Sequence, residues 1–205
     1  MDIKSNSIRS ICVYCGSQPG QNPAYRAAAE TLGRAMADNG IDLVYGGGTK
    51  GIMGAVAEAV MAGGGKAIGI IPEFLMDKEA SRRELGRLSE LHVTRDMHER
   101  KHMMFERSDA FVTLPGGIGT LEEIIEIMTW AQLGRHAKPM VFANVSGFWD
   151  PLNALLEHMS GEGFIHTAHL VRPMVIDRAE DVVPAIMAAA VPADAAGEAD
   201  VIKRM

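Results

Sequence analysis

Short apolar runs alternate along this chain with longer stretches of helical periodicity. The runs are three to seven residues long and rich in Val and Ile, and the stretches between them repeat apolar residues every three or four positions. This alternation is typical of βαβ units and predicts an α/β fold with a central parallel sheet flanked by helices. The predicted strands are residues 8–14, 41–45, 66–71, 91–94, 110–114, 140–144 and 174–176.

The clearest helix signal follows the first predicted strand. Asn22 is a predicted N-cap, Pro23 is the first helical residue, and Gly40 ends the apolar pattern. Residues 72–89 are irregular and charged, which predicts either a loop that covers a substrate or a solvated surface excursion. We expect one domain over residues 1–190 and an Ala-rich tail, residues 191–205, that is poorly ordered or packed by a partner subunit.

Composition and charge narrow the classes of function. The chain has 205 residues, of which 47% are apolar and 22% charged, enough for one domain with a substantial core. Its net charge of −6 argues against a non-specific binder of nucleic acid or anionic membrane, so an anionic ligand must be held locally. The first ten residues lack a signal-peptide core and no apolar run reaches the ~18 residues of a membrane span, which predicts a cytoplasmic protein.

Two short motifs are typical of redox or metal sites, but we predict neither kind of site in this protein. Cys12 and Cys15 form C-x-x-C, but odd spacing on a strand sends the side chains to opposite faces, which predicts reduced cysteines in or beside the core. The H-E-x-x-H pattern from His98 to His102 matches zinc peptidases. Two basic residues lie between these histidines and no third ligand follows at a diagnostic spacing, so we expect no zinc.

Two glycine-rich turns follow early strands, where parallel sheets bind ligands. The first contains Ser17 as a hydroxyl donor. The second, "YGGGTKGIMG", matches G-x-G-x-x-G at Gly46, Gly48 and Gly51, but no acidic residue follows at the position that would bind a dinucleotide ribose. These glycines, with Gly47 among them, indicate either backbone close to a ligand or close helix–strand packing.

A third turn, "PGGIGT", has the most specific chemistry. Gly116 to Thr120 exposes consecutive backbone N–H groups and a hydroxyl, and the helix that follows directs its positive end to the same place. This predicts a phosphate site, and the absence of a Walker Lys-Ser/Thr pair favours a monophosphate. Arg100 and Lys101, on a neighbouring predicted helix, would balance the charge.

Two adjacent carboxylates, Glu122 and Glu123, begin the helix after this turn. Adjacent helix residues are about 100° apart, so both cannot face a pocket equally. One of them can stabilise the helix dipole, which is worth ~0.3 to 1 kcal/mol, and the other can take part in chemistry. Met97, Met103 and Met104 on the basic helix belong to packing, which we favour, or to a pliable pocket wall.

The stretches "YGGGTKGIMG", "DMHERK", "SDAFVTLPGGIGTLEE" and "TWAQLGRHAKP" resemble the Lonely Guy family, cytokinin riboside 5′-monophosphate phosphoribohydrolases often mislabelled as lysine decarboxylases. The resemblance runs from about residue 8 to residue 188. It implies a Rossmann-like three-layer fold, a homodimer or higher oligomer, and no metal or redox cofactor. It also implies hydrolysis of the N-glycosidic bond of AMP-type nucleotides to a free base and ribose 5-phosphate.

The same resemblance implies a set of site residues. The catalytic pair falls on Arg100 and Glu123. An upstream glutamate contact falls on Glu79, with Glu84 as the alternative, because the segment before Arg100 is longer than the family pattern. Together, the turns and the resemblance predict these substrate-binding residues: Ser17, Gly47, Gly48, Glu79, Lys101, Gly116, Gly117, Gly119, Thr120, Glu122 and Thr129.

Cleavage of an N-glycosidic bond passes through a cationic ribose, which assigns a role to each part of this site. We expect Glu123 to stabilise that charge and to orient or deprotonate water, while the glycine turn anchors the phosphate. Arg100 would neutralise the phosphate or orient Glu123. The alternatives are a non-catalytic nucleotide-binding or carrier module of the same fold, and an enzyme that prefers plain AMP.

Overall fold

A computed structural model of the protein describes residues 8–79, 82–165 and 173–190. Within these residues, seven strands form one parallel sheet in the order β4-β3-β2-β1-β5-β6-β7. The strands are β1 (Ser10–Tyr14), β2 (Asp42–Tyr45), β3 (Ala67–Pro72), β4 (Glu90–Thr94), β5 (Ala110–Thr113), β6 (Met140–Ala143) and β7 (Met174–Ile176). Each strand lies within two residues of its predicted position, so the parallel sheet is confirmed.

Helices cover both faces of the sheet. They are α1 (Pro23–Asp38), α2 (Gly51–Ala62), α3 (Glu73–Glu79), α4 (Arg82–Leu85), α5 (Met97–Glu106), α6 (Ile118–Gln132), α7 (Asp150–Gly161) and α8 (Val182–Ala189), with 3₁₀ turns at Val145–Gly147 and Ala179–Asp181. Helices α1, α2 and α8 pack into one apolar core, and α5, α6 and α7 pack into the other. This is the three-layer arrangement that was expected.

The central strand β1 contributes side chains to both cores. Ile11 and Val13 point into the first core, together with Cys15 just beyond the strand, whereas Cys12 and Tyr14 point into the second. A strand that is buried on both faces has apolar residues at every position, which is why β1 was recognisable as a continuous apolar run. Both cysteines are free thiols and buried, on opposite faces, as the odd spacing predicted.

The start and end of α1 follow their sequence signals. The side chain of Asn22 accepts a hydrogen bond from the backbone N–H of Ala24 at 2.9 Å, and Pro23 is the first helical residue. The helix ends at Asp38, and Gly40 adopts a φ of +65°, a left-handed conformation that glycine accepts without steric cost.

The prediction for the segment between β3 and β4 was wrong. It was predicted to be irregular, yet it contains the short helices α3 and α4. Neither has enough turns for an apolar period to appear in a charged sequence. The predicted tail, residues 191–205, lies outside the described residues. In the part of the chain that is described, no helix is both long enough and apolar enough to cross a membrane.

Candidate active site

A cavity of about 330 Å³ lies at the carboxyl edge of the sheet. Its walls come from the end of β1, the first turns of α2 and α6, and residues of α3 and α5. The predicted site residues that the structure brings to this cavity are Ser17, Arg100, Gly117, Gly119, Thr120, Glu122 and Glu123. The cavity therefore joins the predicted phosphate turn to the predicted catalytic pair.

The first turn of α6 has the properties of an anion site. Gly117 is the N-cap and no side chain caps this end of the helix. The first N–H groups of an α-helix have no acceptor within the helix, and here they belong to the residues from Ile118 to Thr120, which line the cavity. Gly116 lies just behind, where a methyl group would collide with the side chain of Thr120. The turn can therefore present backbone donors to a ligand.

The glycine turn before α2 is arranged differently. The backbone N–H groups of Ile52 and Met53 both donate to the carbonyl oxygen of Gly16, at 3.1 and 3.3 Å. Close packing between this turn and the turn after β1 therefore occupies two of the backbone donors at the start of α2. Gly47 and Gly48, which were predicted to contact substrate, are buried and do not lie on the wall of the cavity.

Arg100 is a buried cation on the wall of the same cavity as the α6 turn, with 4% of its surface exposed. Its Nε donates to the carbonyl oxygen of Ile70 at 3.2 Å, and its Nη2 donates to that of Gly46 at 3.1 Å. Its Nη1 lies 3.7 Å from the sulfur of Met97. The ends of β2 and β3 thus fix the guanidinium in the cavity, since two of its five N–H donors are directed to backbone carbonyls.

The two adjacent acids of α6 differ in burial. Glu123 is 9% exposed, whereas the side chain of Glu122 is 52% exposed and pairs with Lys101 at 2.6 Å. Lys101 also pairs with Glu126 at 3.1 Å. Burial lowers the pKa of Lys101, but the hydrogen bonds to the two glutamates outweigh it, so the net shift is upward. Lys101 was predicted to contact substrate, yet here it holds α5 to α6 beside the cavity.

Two weak acids of the central strand lie near Glu123. Burial raises the pKa of the Cys15 thiol well above its usual range, and the negative charge of Glu123 raises it further. Burial also raises the pKa of Tyr14, with further contributions from Cys12 and from Glu123. Both groups therefore stay neutral near pH 7.

Thr129 and an upstream glutamate were also predicted to contact substrate. Thr129 lies on the exposed face of α6, where its hydroxyl donates to the carbonyl oxygen of Ile125 at 2.8 Å, and it does not line the cavity. The backbones of Glu79 and Glu84 are described, but their side chains lie outside the described part of the structure. The choice between these two glutamates therefore stays a prediction.

The H-E-x-x-H helix separates its basic and imidazole side chains. His98 and His102 are exposed, while Arg100 points inward to the cavity. Among the residues that the structure describes, no group of three or more His, Cys, Asp or Glu side chains is arranged to hold a metal ion. The histidines therefore lie on the solvent side of the helix that carries Arg100.

Sequence reasoning missed part of the apolar wall. Met53 and Leu75 line the cavity with Met97, which resolves the alternatives for Met97 in favour of a pocket wall. Met53 follows a glycine turn that was considered only for its backbone, and Leu75 lies in the charged segment that was predicted to be irregular. Of the two readings of that segment, the contact of Leu75 with the cavity supports the one in which it covers the site.

The parallel sheet, with a helix N-terminus and a buried Arg and Glu around one cavity at its carboxyl edge, defines a Rossmann-like α/β protein. A family model described as "possible lysine decarboxylase" matches residues 53–186. The chain is 49% identical over 167 residues to a probable cytokinin riboside 5′-monophosphate phosphoribohydrolase of Oryza sativa subsp. japonica, covering 82% of this chain and 72% of that one.

A cytokinin riboside 5′-monophosphate phosphoribohydrolase of Arabidopsis thaliana is 47% identical over 170 residues, covering 80% of this chain and 78% of that one. The chain therefore belongs to the Lonely Guy family of phosphoribohydrolases. Among solved structures, the molybdenum cofactor carrier protein of Chlamydomonas reinhardtii matches with a TM-score of 0.66 at 19% identity, covering 89% of this chain and 98% of that one. At that identity the likeness shows the fold alone.

Proposed function

We propose that this protein hydrolyses the N-glycosidic bond of AMP-type nucleotides, namely N6-substituted cytokinin riboside 5′-monophosphates, AMP or both, and releases a free base and ribose 5-phosphate. The observation that carries the proposal is the single cavity that joins an uncapped helix N-terminus, the buried cation of Arg100 and the buried carboxylate of Glu123. The activity named for relatives that are 47 to 49% identical supports the same reaction.

In this mechanism, the α6 turn binds the 5′-phosphate and fixes the far end of the ribose, so that binding energy remote from the bond positions C1′. The bond from C1′ to the base nitrogen breaks, its electron pair leaves with the base, and positive charge develops on the ribose. Glu123 stabilises that charge and orients or deprotonates the water that attacks C1′. The walls formed by Met53, Leu75 and Met97 suit the apolar faces of a base.

Arg100 contributes a fixed positive charge to the same cavity. Because backbone carbonyls hold its guanidinium, the charge is in place before the nucleotide binds and needs no reorganisation during the reaction. Such a cation lowers the cost of bringing a dianionic phosphate next to the carboxylate of Glu123.

Incubation of the pure protein with AMP and with N6-isopentenyl AMP tests the proposal. We expect free base and ribose 5-phosphate in equal amounts, and the ratio of the two kcat/KM values shows which nucleotide is preferred. Nucleotide that binds without any product would instead support the carrier alternative.

We also propose a homodimer formed through the outer face of α6. Ile118, Ile125 and Leu133 recur there at helical spacing and are 83%, 37% and 70% exposed. Thr129 lies on the same face, so a nucleotide contact by Thr129 requires a partner's site to lie against it. Light scattering at micromolar concentration should give a dimer mass, and Leu133→Asp should give a monomer. The matched control is Leu155→Asp on α7, which should leave the dimer intact.

The remaining proposals concern the location of the protein, its domain organisation and its independence of metals, cofactors and nucleic acid. We propose a cytoplasmic protein with one domain over residues 1–190 that uses no metal, cofactor or nucleic acid. The net charge of −6 supports the last point. Dialysis against EDTA should leave the rate of hydrolysis unchanged, and a loss that zinc restores would contradict metal independence.

A further inference from the structure

Two of the three glycines that match G-x-G-x-x-G, Gly46 and Gly51, have different physical reasons to be glycine. Gly51 has a φ of +58°, and a methyl group on it would lie 2.5 Å from the backbone of Ser17, so both conformation and packing require it. Gly46 is not in the left-handed region. A methyl group on Gly46 would collide with the guanidinium of Arg100, 54 residues further along the chain.

The contact with Gly46 is part of the site that holds Arg100. The guanidinium lies against the bare Cα of Gly46 and donates to the carbonyl oxygen of the same residue, at 3.1 Å. Its Nε donates to Ile70 on the neighbouring strand, at 3.2 Å. Since the atom that a methyl would meet is the end of a long side chain, a methyl on Gly46 would displace the guanidinium and leave the backbone in place.

We propose that Gly46 is a positioning residue for Arg100. Its missing side chain lets the guanidinium reach both carbonyls, and this reach sets the position of the positive charge in the cavity that contains Glu123. The first glycine of a motif that resembles a dinucleotide fingerprint therefore serves an arginine of the site. The effect on turnover rests on the function proposed above, while the placement of the side chain does not.

A double-mutant cycle tests this role. Gly46→Ala should lower kcat on AMP or N6-isopentenyl AMP by about 10-fold or more, because small misplacements of a catalytic group have large effects on rate. In an Arg100→Ala background, Gly46→Ala should change kcat and the Kd for AMP by less than about 2-fold, because the group it displaces is absent. A wild-type rate for Gly46→Ala, or the same loss in both backgrounds, would overturn the proposal.

Gly69→Ala is the matched control for packing strain. Gly69 is a glycine of β3 whose added methyl would meet the end of the Leu88 side chain at 2.7 Å and the Cα of Gly47 at 3.2 Å, so it strains the same turn while its three nearest contacts do not include Arg100. Gly69→Ala should retain the wild-type kcat, and thermal unfolding should show that Gly46→Ala costs no more stability than this control. If both variants lose turnover in proportion to stability, Gly46 is a packing residue only.

A spectroscopic readout keeps the placement testable without turnover. The Nε proton of Arg100 is buried and bonded to the carbonyl oxygen of Ile70, so its NMR signal should exchange slowly with water. Arg100→Ala identifies the signal by removing it. Gly46→Ala should shift the signal and speed its exchange, whereas Gly69→Ala should not. An unchanged signal in Gly46→Ala would refute the placement, while an inactive wild-type protein would refute only the proposed function.

Discussion

The two glycine-rich turns before α2 and α6 lie at the carboxyl edge of the sheet and look alike in sequence. They differ in the hydrogen bonds that the first backbone N–H groups of each helix make. At the start of α2, the N–H groups of Ile52 and Met53 are bonded to Gly16. At the start of α6, no side chain caps the helix, and the first residues line the cavity. A helix N-terminus attracts anions through donors that are not already bonded, which supports our proposal that the α6 turn is the anion site.

The comparison also shows how one turn supports the other. The α2 turn provides the carbonyl of Gly46 to Arg100, and the start of α6 places Thr120 and Glu123 on the wall of the same cavity. A turn in which two helix donors are already bonded can therefore still shape the site, through the side chain that it positions.

The largest expected effect comes from placing a negative charge at the α6 turn. Gly119→Asp should weaken AMP binding by about 100-fold or more, because a carboxylate would stand beside the bound phosphate in a partly desolvated cavity. A methyl group at Gly119 meets nothing within 4 Å, so the fold should tolerate the change. Calorimetric titration with AMP measures the loss, and the uncharged Gly119→Asn is the control.

The matched change at the other turn is Lys50→Asp, at the N-cap of α2. It alters the charge by two units, yet AMP affinity should change by no more than about 3-fold, because the donors of this helix are already bonded and the added charge is exposed to solvent. If Lys50→Asp weakens binding as much as Gly119→Asp, the distinction between the two turns is wrong.

A second effect separates stability from binding. Gly51→Ala should lower the free energy of unfolding by about 2 kcal/mol or more, because its φ of +58° is strained for alanine and its methyl would meet the backbone of Ser17. Gly117→Ala should lower it by less than about 1 kcal/mol, because its methyl meets nothing within 4 Å. Urea unfolding measures both, and equal losses would contradict the structural difference.

A smaller effect concerns the ion pairs beside the α6 turn. Lys101→Met should cost about 0.5 to 1 kcal/mol of stability at low salt and less at high salt, because Glu122 is half exposed and solvent screens the pair. Combining Lys101→Met with Glu122→Gln should cost less than the sum of the two changes. Strict additivity in urea unfolding at both salt concentrations would show that the pair contributes nothing.

The smallest effect concerns the thiols at the end of β1. Burial raises the pKa of Cys15, and also that of Cys12, above the usual value of 9.0. The folded state thus retains protons that the unfolded chain loses, so the free energy of unfolding should fall as the pH rises above about 9. Native protein at pH 8 should react slowly with a thiol reagent, and urea should release both thiols. Fast labelling of the native protein would contradict this burial.

Much of the fold could be predicted because local signals agree with the tertiary structure. The strands are apolar at nearly every position, and α1 has its cap, its proline and its terminal glycine. The α6 turn was recognisable because its glycines, hydroxyl and helix are contiguous in the chain. The short helices α3 and α4 were not predicted, because one or two turns in a charged segment show no apolar period.

Parts of the site depend on contacts between distant segments, which no local pattern reveals. Arg100 was predicted to belong to the site, but its hydrogen bonds to Gly46 and Ile70 join residues 54 and 30 positions apart. The hydrogen bonds from the backbone of Ile52 and Met53 to Gly16 also join segments that are distant in the chain. Glu123, by contrast, shares a helix face with the buried Ile127 and Ala131, so helical phase alone indicates that it points inward and Glu122 outward.

Binding and turnover of the Glu123→Gln variant test most directly the proposed role of Glu123 in cleavage of the N-glycosidic bond. This change keeps the size of the side chain and removes the charge that should stabilise the ribose cation. The account predicts that kcat falls by about 100-fold or more while AMP still binds with near wild-type affinity, and that Glu122→Gln keeps most of its turnover. Wild-type turnover in Glu123→Gln, or an inactive Glu122→Gln beside it, would contradict the assignment of Glu123 as the carboxylate that acts on the bond.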